Sequence, residues 1–278
     1  MIHRAKVTKI KCNIVAFSKS CCLILPAIFR FMILVYNAVL FLITLSGGSA
    51  PLWSSGWTGS RIKYLLAFSG AFLLSITFLH LIPESVETLG PSTGILMIAG
   101  FFGQQFIQKY THGVEHGHLH IEQQSHDHPM PVWPVFIGLS IHAFSEGLPL
   151  GINYADPAIL PSLFLAIALH KMPEAMLIIS LFFHKNHNKS RSLIILLLFA
   201  LITPFSSLFA YFLGREFAVV RQIVHWCIPV IAGVFIHIAA TIFFESGTKA
   251  HEMNFKKWLA VLGGIALGLL SFVGAHIH

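Results

Sequence analysis

Apolar runs long enough to cross a membrane follow one another along this chain, at 23–45, 62–82, 93–108, 132–153, 157–183, 190–213, 223–244 and 258–274. A helical crossing of a hydrocarbon layer roughly 30 Å thick takes about 20 residues. Within that layer every backbone N–H and C=O must be satisfied by the segment itself or by a closed sheet, so only helices and barrels span it. The runs are continuous rather than alternating, which excludes a barrel. Only 10% of the 278 residues are charged, against about 25% in soluble domains. The expected fold is therefore all-α: a polytopic membrane protein built as an eight-transmembrane-helix bundle.

The net charge of +7 does not indicate a nucleic-acid partner, because the basic residues flank the apolar runs as interfacial anchors and form no basic groove. Positive loops are retained in the cytoplasm. The connections after the first, third, fifth and seventh runs hold Arg61, Lys63, Lys109, Lys185, Lys189, Arg191, Lys249, Lys256 and Lys257, whereas the others hold Arg215 and Arg221. Both termini are thus expected outside, in a cell or inner membrane. Arg4, Lys6, Lys9 and Lys11 contradict that parity, so residues 1–31 read as a signal-like segment or an overlong start, with Met32 as an alternative initiator. Residues 32–278 form one transmembrane domain. Cys12, Cys21, Cys22 and Cys227 make no C-x-x-C pair and suggest no thiolate site. The lipid bilayer is an expected partner, and the sequence leaves homodimer formation open.

The segment 111–131 is the one long polar connection, and it carries His112, His116, His118, His120, His126 and His128. Histidine-rich tracts bind zinc-, copper- and nickel-type ions through neutral imidazole. The loop is expected to be cytoplasmic and to capture metal as an accessory to the bundle.

Two mid-span pairs carry the chemistry. His142 and Glu146 in the fourth run, and His170 and Glu174 in the fifth, are each spaced i and i+4, hence one turn apart on one helix face. Two adjacent helices then offer two ligands each towards a shared point. Nitrogen and oxygen donors of this kind suit Zn2+ and also Fe2+, Mn2+ or Cd2+. Carboxylates and the Lys171 ammonium at such depth cost roughly 2.5 to 3.5 kcal/mol each without partners, and a cation is one such partner. Pro149 and Pro173 free carbonyls one turn upstream, while Gly147 and Gly151 allow close approach to the main chain. His80 and Glu84 repeat the i, i+4 spacing near the end of the second run, which suggests an outer gate. His237 in the seventh run and Glu245 at its end are further pathway residues.

These residues resemble the ZIP (Zrt/Irt-like) family of divalent metal transporters. The resemblance rests on Ala67 to Leu73 leading into His80-Leu81-Ile82-Pro83-Glu84, on the histidine-rich loop between the third and fourth runs, and on His142-Ala143-Phe144-Ser145-Glu146-Gly147 with His170-Lys171-Met172-Pro173-Glu174. It runs from about Phe41 to the C terminus. It implies a bundle of eight helices with outside termini, delivery of zinc or a related metal to the cytoplasm, and His142, Glu146, His170 and Glu174 as principal ligands. Members with two metals carry Asn or Asp where this chain has Ala143 and Lys171, so Lys171 occupies the second-site position, as in the single-metal branch.

No G-x-x-x-x-G-K-[ST] stretch is present to bind ATP, and the metal is expected as cargo, with no cofactor. An intramembrane zinc-dependent enzyme is the rival reading, but both pairs are H-x-x-x-E rather than H-E-x-x-H, and no catalytic residue is assigned. A haem electron carrier, with histidines from two helices, is the other.

Overall fold

The computed structural model describes residues 29–53, 60–111, 132–154, 159–245 and 255–276, and only the backbone of residues 60–62, 110–111, 185–186, 243–245 and 275–276. These contain eight helices and no strand. They are α1 (Phe29–Leu52, closing in a 3-10 turn at Ala50–Leu52), α2 (Ser60–Ile76, continued through Thr77–Leu81 and Ile82–Leu89), α3 (Ser92–Thr111) and α4 (Val132–Leu150). α5 (Ile159–Asn186), α6 (Lys189–Glu216), α7 (Ala218–Glu245) and α8 (Phe255–His276) complete the order. Six helices, all but α3 and α4, are long and apolar enough to cross a membrane by length and composition. α3 falls short because Gln104, Gln105, Gln108 and Lys109 interrupt it, and α4 because it carries His142 and Glu146. The histidine-rich loop residues His112 to His128 and the side chain of Glu245 lie outside the described residues.

Two boundaries differ from expectation for identifiable reasons. α1 runs on past 45 because Gly47 and Gly48 do not end it: Gly47 lies against Met172, and Gly48 against Ala175 and Leu196, where larger side chains would not fit. α2 runs seven residues beyond 82, straight through Pro83. A proline ring collides with the carbonyl four residues back, here Leu79. The chain answers with a π turn over Thr77–Leu81, in which the Ile82 N–H bonds to the Thr77 carbonyl five residues back. The helix ends at Gly90, whose φ of 57° suits a residue without Cβ and whose N–H caps the Val86 carbonyl at 2.9 Å.

Buried hydroxyls bond within their own helices, as a dry environment demands: Thr44 to the Leu40 carbonyl (2.7 Å), Thr77 to Leu73 (2.8 Å) and Ser85 to Leu81 (2.6 Å). Helices pair where small residues let backbones touch. Gly100 of α3 faces the Val230 carbonyl of α7 while Gly233 of α7 faces the Met97 carbonyl of α3. Gly264 of α8 sits on Phe68 of α2, and Gly147 of α4 and Gly151 just after it sit on the Thr203 and Ser207 carbonyls of α6. α1 packs on α5 and α6, through stacked Tyr36 and Phe164 (centroids 4.4 Å apart) and an Asn37 amide donated to Ser207 (3.0 Å).

Large apolar side chains also cover the outside. Ile95, Ile98, Phe102 and Phe106 on α3, and Leu259, Leu262, Leu269 and Leu270 on α8, are exposed. Such faces exceed what a soluble monomer carries and are suited to lipid. The chain is a multi-pass integral membrane protein. Inside, one apolar cluster joins Leu40, Phe72, Leu150, Leu163, Ile167 and Phe235, and a second joins Val135, Leu139, Leu177, Leu181 and Phe199. Along both α4 and α5, the His/Glu pairs fall between the residues of these two clusters.

Candidate metal centre

α4 and α5 bring His142, Glu146, His170 and Glu174 together. One donor atom from each lies within 4.8 Å of all the others. The four residues are exposed by only 2%, 0%, 2% and 5%. The i, i+4 spacing on each helix puts each pair on the facing side, and the close approach of α4 to α6 at Gly147 and Gly151 leaves the opposite face of α4 turned to α5.

The two glutamates divide their oxygens. Oε1 of Glu146 contacts Nε2 of both His142 and His170, and Oε1 of Glu174 lies 3.0 Å from His142 Nε2 and 4.0 Å from His170 Nε2. The two Oε2 atoms turn the other way, towards Lys171, whose Nζ donates to Glu146 at 2.6 Å and to Glu174 at 2.9 Å. An ammonium has three hydrogens. The third finds the ring of Phe199 on α6, 4.9 Å from Nζ.

Ring orientation shows what this arrangement accepts. His170 Nδ1 lies 2.8 Å from the Ala166 carbonyl, which can only accept, so Nδ1 carries the proton and a neutral ring presents a lone pair at Nε2. That lone pair faces a carboxylate oxygen. Two acceptors in contact are favourable only with a cation or a proton between them. Neither ring nitrogen of His142 has a hydrogen-bond partner among the described residues, although Nε2 points at the same carboxylates. Buried polar atoms are almost always paired, and a divalent ion held by the four groups would satisfy the lone pairs at Nε2 of His142 and of His170 together with the carboxylate oxygens facing them.

The other residues singled out from sequence do not join this cluster. His80 is buried in the π turn of α2, with its ring edge-on to Phe272 of α8 (5.8 Å), and the helix runs on past it to Leu89 rather than ending near it as expected. Glu84 is half-buried on the next turn. Beside it, Tyr154 is buried after α4 with its hydroxyl donated to the Pro149 carbonyl at 3.0 Å; burial and the Glu84 charge together raise its phenol pKa. His237 of α7 bonds through Nε2 to Gln108 of α3 at 2.6 Å and packs against Phe101, within the α3–α7 contact.

Several supporting residues escaped sequence reasoning. Thr203 of α6 donates to the Ala143 carbonyl at 3.0 Å, and Ser206 to the Phe144 carbonyl, fastening α4 at residues between His142 and Glu146. Their only signal is a polar stripe, Thr203, Ser206 and Ser207, in an otherwise apolar helix. Phe199 carried no signal at all.

Comparison with curated protein sequences gives no match. The family model described as ZIP zinc transporter matches residues 27–132 and 108–271. These two segments span nearly all of the apolar chain and include both His/Glu pairs. A transmembrane helical fold, a buried four-donor cluster between two helices and a family match along most of its length lead to one assignment: the chain belongs to the ZIP zinc transporter family, a family of divalent metal transporters.

Proposed function

We propose that the protein carries zinc, and with it related ions such as Fe2+, Mn2+ or Cd2+, into the cytoplasm through His142, Glu146, His170 and Glu174. The observation that carries this reading is the convergence of four buried donor atoms from α4 and α5 within 4.8 Å. Imidazole and carboxylate are the donors zinc prefers when thiolate is lacking, and ionisable residues kept at membrane depth mark ion pathways. In this reading all eight helices cross the bilayer: in α4 His142 and Glu146 are buried, and in α3 Gln104 is buried and Gln108 bonds to α7, while Gln105 and Lys109 lie exposed towards its end. Loop charge then places both termini outside. An ion enters past Glu84 and His80, exchanges water for the four ligands, and leaves inward when α4 and α5 part.

The segment holding His112 to His128 gathers metal on the cytoplasmic side and is accessory. An enzymatic reading needs a carboxylate free to act as general base, whereas both glutamates here face the histidines and Lys171. The test is zinc influx into proteoliposomes. His170→Ala and Glu146→Ala should each abolish it, and influx at the wild-type rate in both would exclude this pathway.

A further inference from the structure

Lys171 is the one feature of the centre that a metal site does not require. Its ammonium is 1% exposed, bonded to Oε2 of Glu146 and of Glu174, and backed by the Phe199 ring. It does not compete for the Oε1 atoms, which face the histidines. Each carboxylate therefore meets two positive sites at once, a movable one among the Nε2 and Oε1 atoms and a tethered one at Nζ. Buried carboxylates stripped of a partner are strongly destabilised, and that is the condition in which a carrier is left after releasing its ion. We propose that Lys171 is a built-in counter-ion for the emptied centre: it holds Glu146 and Glu174 together once the transported ion has gone, so that the site can return and reload. The same ammonium repels the bound ion and so limits how tightly it is held, which speeds release.

This inference rests on the four-residue site being the transport site, and its test separates the two. Zinc movement is measured in two modes: net uptake into vesicles holding a chelator, and exchange of labelled for unlabelled zinc, in which the site never travels empty. For Lys171→Met the ratio of exchange to net uptake should rise about tenfold, as expected where the return step slows by about 1.4 kcal/mol. The apparent KM should fall, because the repelling charge is gone. An unchanged ratio with an unchanged or raised KM overturns the counter-ion role while leaving the transport site standing. Wild-type protein that supports neither mode overturns both. Phe199→Leu, which keeps the ammonium but removes the ring behind it, should shift the ratio the same way by about threefold. It carries the test if Lys171→Met does not fold, and an unshifted ratio there overturns the proposal.

Discussion

Zinc binding at the centre should be visible as heat stability, without any transport. If the four donors hold one ion in the folded state and not in the unfolded chain, mass action stabilises the fold by about 2.7 kcal/mol when free zinc is about 100 times its dissociation constant. One kcal/mol moves the melting temperature of a chain of about 150–250 residues by about 2–4 °C, and this chain of 278 residues is near that range. The expected shift in detergent is therefore about 5–10 °C. Glu146→Gln removes the carboxylate that touches His142, His170 and Lys171 together, and should abolish the shift at the same zinc concentration. Replacing the six histidines from His112 to His128 should leave the shift in place, since those residues are not among the four donors. A full shift surviving in the Glu146→Gln and His142→Ala double variant would refute the reasoning, because the stabilising ion would then sit elsewhere.

Three further outcomes follow from packing. Gly147→Leu forces a side chain into the Thr203 carbonyl and Ser206, and should cost at least about 1–3 kcal/mol by overpacking; Gly103→Leu, with nothing within 4 Å of its Cβ position, should leave the melting temperature unchanged. His237→Leu or Gln108→Leu removes their 2.6 Å bond between α3 and α7 and should cost about 0.5–1.5 kcal/mol, and zinc uptake should survive in either variant. Asn188→Ala removes the side chain that caps α6 through the Arg191 N–H at 3.1 Å and should lower stability by about 1 kcal/mol in thermal unfolding.

The course of the helices and the spacing of the two His/Glu pairs were legible because both are local: hydrophobic runs are read in one window, and His142 to Glu146 is a single turn. The end of α2 was not, since proline is a reliable stop only where the preceding backbone stays α-helical, and the π turn at Thr77–Leu81 changes that condition. Nor was the continuation of α1 through Gly47 and Gly48, which depends on Met172 and Leu196 lying opposite. At the centre, sequence gave the types and spacing of the donors and flagged Lys171 beside them. It could not show that one ammonium reaches both Oε2 atoms, because that depends on how α4 is turned against α5. That rotation goes with contacts outside both helices, such as the Thr203 hydroxyl of α6 on the Ala143 carbonyl, sixty residues apart in the chain.

Those contacts also distinguish how α4 is held to α6 from how it is held to α5. To α6 it is joined by hydroxyl-to-carbonyl bonds at Ala143 and Phe144 and by the close fit of Gly147 and Gly151, none of which involves an exchangeable ion. To α5 it is joined, at the level of the His/Glu pairs, by charged contacts, Glu146 with His170 and Lys171 and His142 with Glu174, beside the tilted His142 and His170 rings. The α4–α5 seam should then loosen when those charges are unbalanced, while α4 and α6 stay together. Replacing Thr203 by Val and Ser206 by Ala removes two bonds worth about 0.5–1.5 kcal/mol each without touching a ligand. That double variant should melt lower by several degrees yet keep the whole zinc-induced shift. Loss of the shift along with the two hydroxyls would mean that α6 sets the ligand geometry directly, and that the centre is not a matter of α4 and α5 alone.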